Sequence, residues 1–185
     1  MTAKAMVSRA QDAVVAAAPG AADSHQYLTF TLGSELYAIG ILAIKEIIEY
    51  AGLTEVPMMP ASIRGVINLR GAVVPVMDLA VRFGRQPMVT TKRTCVVIVE
   101  VAGSGHPQVM GLVVDAVNAV VEIPAGDIEP PPAFGSRIRA EFISGMGKVG
   151  GHFVILLDID RVLSIDSASA LALVAGVTQE ELAVA

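Results

Sequence analysis

The sequence predicts an all-β chain of two small β-barrels in tandem, and three observations carry that prediction. Residues 63–84, IRGVINLRGAVVPVMDLAVRFG, recur 80 positions later as ISGMGKVGGHFVILLDIDRVLS without a gap. Ile63 meets Ile143, Gly65 meets Gly145, Gly71 meets Gly151, Val74 meets Val154 and Asp78 meets Asp158, while Val73, Val76 and Met77 meet Phe153, Leu156 and Leu157. A shared period that long marks one structural unit used twice. Second, short runs of β-branched and apolar residues bounded by glycine and proline outnumber segments with helical spacing. Third, 54% of the 185 residues are hydrophobic, yet no apolar run reaches the roughly 18 residues of a membrane span. Glu100 breaks CVVIVEVAG and Asp158 ends FVILLD. The apolar excess therefore fits short buried strands.

The elements follow in order. Residues 1–25 carry Lys4, Arg9 and an alanine-rich stretch interrupted by Gln11 and Asp12, which fits a disordered or loosely helical tail rather than an export signal. QYLTFTL is a strand, Gly33-Ser34 a tight turn, and ELYAIG the returning strand. ILAIKEIIE sets Ile41, Ile44, Ile47 and Ile48 at helical spacing, so a short helix competes with a strand there. Pro57 and Pro60 mark a loop, and VINLRGAVVPV is a hairpin turning at or near Arg70-Gly71. The second half repeats the order. TCVVIVEVA and QVMGLVVD flank the turn AGSGHP, AVNAVVEIP takes the place of AIKEIIEYA, EPPPAFG is a loop, and ISGMGKV with FVILLD copies the hairpin. Residues 166–185, alanine- and leucine-rich with Gly176 weakening the middle, complete the chain as a C-terminal helix.

Several function classes drop out. The net charge is −5 and the basic residues are scattered, which argues against nucleic acid. Cys95 is the single cysteine and lies inside CVVIV, so it is expected to be a buried, inert thiol. GMGKVG at Gly145, Gly147 and Gly150 matches a dinucleotide fingerprint in letters only, because it leads into a β run and not a helix. Lys148 is followed by valine, so no phosphate-binding loop of the Walker type exists. His25, His106 and His152 stand far apart without partner cysteines, so no metal site is expected. No cofactor and no catalytic constellation are expected.

The repeat separates fold from function. Asp78 and Asp158 each end a strand and precede a short helical segment, which is the N-cap position, and both copies keep the residue. Gly65 and Gly145 sit at equivalent places before the hairpin, where a backbone requirement is expected, either positive φ or close approach of another strand. With Gly71 these five are the expected fold-critical residues. Arg70 is different, since its counterpart is Gly150 and the hairpin does not need its side chain. A partner contact and an ordinary solvated arginine both remain open for it. Glu46, among Ile44, Ile47 and Ile48, has the same two readings.

FTLGSELYAIGILAIKEIIE, MPASIRGVINLRGAVVPVMDLAVRFG, MGLVVDAVNAVVEIP and FISGMGKVGGHFVILLDIDRVL together resemble, in order, the CheW family of bacterial chemotaxis coupling proteins. The resemblance spans about residues 26–165, and its most specific element is NLRG followed by PV and DL. It implies two SH3-like five-stranded β-barrels and an adaptor without enzymatic activity. The implied partners are chemoreceptor tips and the CheW-like regulatory domain of the CheA histidine kinase, with self-association inside receptor arrays as a further expectation. The implied place is the cytoplasm, at arrays on the inner membrane, without membrane insertion. Mapped by motif, the implied partner-binding residues are Ile44, Glu46, Arg70, Val117 and Val120. Ile44 and Val117 match at an offset of 73, as groove walls from two related barrels. Ala80 and Ile48 depart from the basic and polar residues frequent at those places. A scaffold for a non-flagellar chemosensory pathway and a generic peptide-binding barrel module are the alternative functions.

Overall fold

The computed structural model describes residues 24–102, 106–131 and 138–163. The C-terminal segment expected to be helical lies outside these residues, as does most of the expected tail. Ser24 and His25, counted with the tail above, already belong to the first strand. The strands are β1 (Ser24–Leu32), β2 (Glu35–Gly40), β3 (Ile44–Glu49), β4 (Ile63–Leu69), β5 (Ala72–Asp78), β6 (Cys95–Ala102), β7 (Pro107–Val114), β8 (Ala116–Pro124), β9 (Ile128–Glu129), β10 (Ile143–Val149) and β11 (His152–Leu157). Two short helices follow the hairpins, α1 (Leu79–Arg82) after β5 and α2 (Ile159–Leu163) after β11. The class is all-β, with two SH3-like subdomains, as the sequence predicts.

The subdomains do not divide the chain end to end. One sheet has the order β3-β6-β7-β5-β4 and is continuous in sequence; the other, β8-β1-β2-β11-β10-β9, is assembled from both ends of the chain around it. The tandem arrangement expected from the repeat is thus corrected to a nested one. The cause is an exchange of third strands: β3 of the first copy pairs with β6 of the second, and β8 of the second pairs with β1 of the first. The copies nevertheless keep matching geometry. β5 runs parallel to β7, and β11 runs parallel to β2.

The exchanged strands also settle the helix-or-strand question. Ile41–Ala43 form one 3-10 turn, and Ile44 onwards is strand. Opposite β6, Ile44 pairs with Val99 and Glu46 with Ile98, so Lys45 is an extra, bulged residue. The bulge breaks the alternation, and Ile44 and Ile47 both turn inward at a spacing of three. That spacing produced the helical signal. Asn118 is the matching extra residue in β8, between Val117 opposite Phe30 and Ala119 opposite Thr29.

Each hairpin turns through two residues with positive φ: 52° at Arg70 and 88° at Gly71, then 57° at Gly150 and 81° at Gly151. Two such residues match the right-handed twist of the flanking strands. Gly65 and Gly145 answer to the second of their two expected requirements, close approach. A Cβ on Gly65 would lie 2.5 Å from the Thr54 carbonyl oxygen, and one on Gly145 would lie 2.8 Å from Ile128 Cγ2 and 3.0 Å from the Glu129 carbonyl oxygen. Asp78 caps α1, its Oδ1 accepting from Ala80 N at 2.9 Å and Val81 N at 3.4 Å, and its Oδ2 accepts from Met88 N at 3.1 Å. Asp158 accepts from Arg161 N at 3.2 Å at the start of α2.

A single large core joins the subdomains. Leu28, Phe30, Leu32 and Ile39 of one sheet share it with Ile47, Met77, Ile98 and Leu112 of the other. A small second cluster, Ala38, Ile123, Val154 and Leu156, fills the six-stranded sheet alone. Burial on this scale is the main stabilising term, at about 25 cal/mol per Å² of apolar surface.

Candidate functional site: the Arg70–Glu46 edge of the five-stranded subdomain

Arg70 stands on the β4–β5 turn with most of its side chain in solvent, and its Nη2 donates to Glu46 Oε2 at 2.8 Å. β3 and β4 are the two edges of the five-stranded sheet. The ion pair therefore ties one edge to the other across the mouth of the subdomain. The turn is braced locally, since Gly71 N donates to Asn68 Oδ1 at 2.8 Å. The guanidinium sits on backbone at a φ of 52°, a region that costs a non-glycine residue roughly 1–2 kcal/mol. Beside the pair, a cleft of about 440 Å³ opens between β3 and β4, lined by Ile48, Leu53, Val66 and Asn68 among others.

The structure brings Glu46 and Arg70 together but treats the apolar candidates differently. Ile44 is 7% exposed and Val117 2%. Both are bulge-flanking residues whose side chains belong to the shared core. Neither stands open as a groove wall in this structure: the matched bulges turn both side chains inward, so they shape the surface from beneath. Val120 is half-buried and packs on the core from its margin.

Other apolar side chains take the exposed positions. Leu42, on the 3-10 turn before Ile44, is 91% exposed, and Met58 in the following loop is 90%. Val73 and Phe153, repeat partners beside the two hairpin turns, are both more than half exposed. The sequence registered their correspondence as apolar but not their exposure. Their place opposite Asn68 and Lys148 in the ladders carried the missing signal.

The remaining chemistry is structural. Lys45 Nζ lies 2.6 Å from Glu100 Oε2 across the β3–β6 ladder. Tyr37 is held well above the ordinary phenol range by burial and by its hydrogen bond to the Glu35 carboxylate. Burial likewise pushes the Cys95 thiol up, which keeps it from the reactive thiolate form. Among the described residues no cluster of three His, Cys, Asp or Glu could hold a metal, and no helix is long and apolar enough to cross a membrane. GMGKVG lies on β10 and its turn, so its glycines open a hairpin and not a phosphate-binding helix.

Comparison with known proteins agrees with this architecture. The family model described as the CheW-like domain matches residues 26–167. The chain is 37% identical over 152 residues to chemotaxis protein CheW of Klebsiella aerogenes, covering 82% of this chain and 89% of that protein. It is 31% identical over 145 residues to chemotaxis protein CheW of Rhizobium meliloti, covering 78% and 91%. The crystal structure of the scaffolding protein TtCheW from Thermoanaerobacter tengcongensis superposes with a TM-score of 0.69 at 34% identity, covering 77% of this chain and 94% of that one. With a family model spanning most of the chain and relatives covered nearly end to end, this protein belongs to the CheW family of chemotaxis scaffolding proteins.

Proposed function

We propose that this protein is a non-catalytic adaptor that couples chemoreceptor tips to a CheA-type histidine kinase in the cytoplasm, at arrays on the inner membrane. The observation that carries the reading is the Arg70–Glu46 pair. An arginine stands at a turn position that glycine fills in the other copy, and its charge is held at the surface by a carboxylate on the opposite edge of the sheet. Strain retained for a side chain the turn does not need points to use by a partner. Arginine is also among the residues that dominate binding energies.

In this reading a helical receptor tip lies along the edge near Arg70 and Glu46, with Val120 at the margin and Ile44 and Val117 holding the surface in shape. Exposed apolar residues at the hairpin ends, Val73 and Phe153, suit contact with the CheW-like domain of the kinase. A pull-down from native lysate tests the adaptor role: recovery of a CheA-type kinase together with receptors supports it. Recovery of neither would favour a barrel module that docks some other peptide.

A further inference from the structure

Four consecutive residues at the end of α1, Arg82-Phe83-Gly84-Arg85, leave the five-stranded subdomain and finish among side chains of the six-stranded one. The Phe83 ring sits between Tyr37, with centroids 5.8 Å apart, and Phe142, at 5.9 Å. Phe30 continues the row 6.0 Å beyond Tyr37. On one side of Phe83, Arg82 Nε donates to the Val162 carbonyl at 2.8 Å, and its guanidinium lies 4.6 Å from the centre of the Phe142 ring. On the other, Arg85 Nη2 pairs with the Glu35 carboxylate and meets the Tyr37 hydroxyl at 3.0 Å, and that hydroxyl donates to Glu35 at 2.5 Å.

The helix end is shaped to deliver these groups. Arg85 N donates to the Ala80 carbonyl at 2.8 Å and Gly84 N to the Val81 carbonyl at 2.9 Å, with Gly84 at a φ of 79°. This is the two-bond Schellman ending, which needs glycine at its left-handed residue. It fixes where the chain leaves α1, and so where Arg85 enters the other subdomain.

Two arguments give this segment a role beyond adhesion. The apolar core between the subdomains is large, but the hydrophobic effect that drives it is non-directional. Arginine–carboxylate and cation–π contacts depend on direction and select one arrangement. Further, the segment belongs to one copy only. Asp78 and Asp158 both remain as caps, whereas Val162, Leu163, Ser164 and Ile165 stand where Arg82, Phe83, Gly84 and Arg85 do. The hairpin-helix unit therefore forms without it.

We propose that Arg82-Phe83-Gly84-Arg85 is a plug that sets the angle between the two subdomains, and that Arg85 is a positioning residue for holding kinase and receptor at once. The second half of this statement rests on the adaptor reading above; the first does not.

The test is a spin-label distance measurement on the full chain carrying Val73→Cys and Lys148→Cys, one exposed site on each subdomain. Buried Cys95, with its raised thiol pKa, competes little for the label. Arg85→Ala is expected to broaden or shift the distance distribution at unchanged circular dichroism, and the charge-reversed pair Glu35→Arg with Arg85→Glu to recover a narrow one. In co-sedimentation of kinase with receptor-containing membranes, Arg85→Ala should weaken three-way assembly by about fivefold, the low end of coupling between sites. Its two-way binding to kinase should stay unchanged. An unaltered distance distribution in Arg85→Ala overturns the plug. An altered distribution with full three-way assembly overturns the positioning role. Should Arg85→Ala fail to fold, Arg85→Lys decides, since a plug requires a distribution wider than native and a mere packing contact does not. If the native protein itself bridges nothing, the adaptor reading fails while the distance result still judges the plug.

Discussion

The two hairpins, β4–β5 and β10–β11, are the same structure with different chemistry. Both turn through two residues of positive φ, but one turn is Gly150-Gly151 and the other Arg70-Gly71. The glycine pair adopts that backbone freely, while Arg70 carries strain there. The hairpins also differ at their bases. Asp78 is 1% exposed and holds three backbone N–H groups, with Arg64 Nη1 at 3.5 Å, whereas Asp158 is partly exposed and caps a single turn. The first copy is thus both more tightly anchored and more strained at its tip. Rigid support under an exposed, strained side chain is the arrangement a binding site needs.

The largest expected effect breaks the anchor. Asp78→Ala leaves the Ala80, Val81 and Met88 N–H groups without their acceptor and removes the carboxylate facing Arg64, and should cost about 3 kcal/mol, the upper range for stranding buried polar groups. Asp158→Ala should cost about 1 kcal/mol, as an ordinary helix cap. Urea denaturation of the two variants side by side measures the gap. Equal losses would mean that the two copies are anchored alike.

Next come the glycines. At Gly65 the new methyl would lie 2.5 Å from a backbone carbonyl oxygen, which moves only with its chain, while at Gly145 the nearest atoms are an isoleucine methyl at 2.8 Å and a backbone carbonyl oxygen at 3.0 Å, a looser fit. Gly65→Ala should therefore cost about 3 kcal/mol and Gly145→Ala about half of that, within the range for overpacked sites. A smaller effect separates the tips. Exchanging strain should make Gly150→Arg destabilising by about 1 kcal/mol and leave Arg70→Gly neutral or slightly stabilised, because the exposed ion pair it loses contributes about as little as surface pairs usually do. Thermal melts resolve the sign.

Much of this was legible in the residues. The repeat gave the two subdomains, a turn at or near Arg70-Gly71, the caps and a backbone requirement at Gly65 and Gly145, because each is a local demand written at a fixed position in both copies; that the requirement is close approach and not positive φ shows only in the fold. Strand exchange was not legible. Pairing of β3 with β6 and β8 with β1 is set by contacts far apart in sequence, and a repeat looks the same whether its units close on themselves or on each other. The bulges at Lys45 and Asn118 hid the strand character of β3 and turned Ile44 and Val117 inward, since one inserted residue reverses which side chains face the core. Glu46 and Arg70 were found separately from the sequence; only the fold joins them.

The central claim is that Arg70 works at the surface and not in the fold, and Arg70→Ala assayed twice tests it most directly. Thermal melting should shift by no more than about 0.5 kcal/mol of stability, as at ordinary exposed sites. Co-sedimentation with receptor-containing membranes should fall by about 2 kcal/mol or more of binding energy, the loss of a hot-spot residue. Native melting with lost receptor binding is the expected result; a large fall in melting temperature, or full receptor binding by the variant, would contradict it.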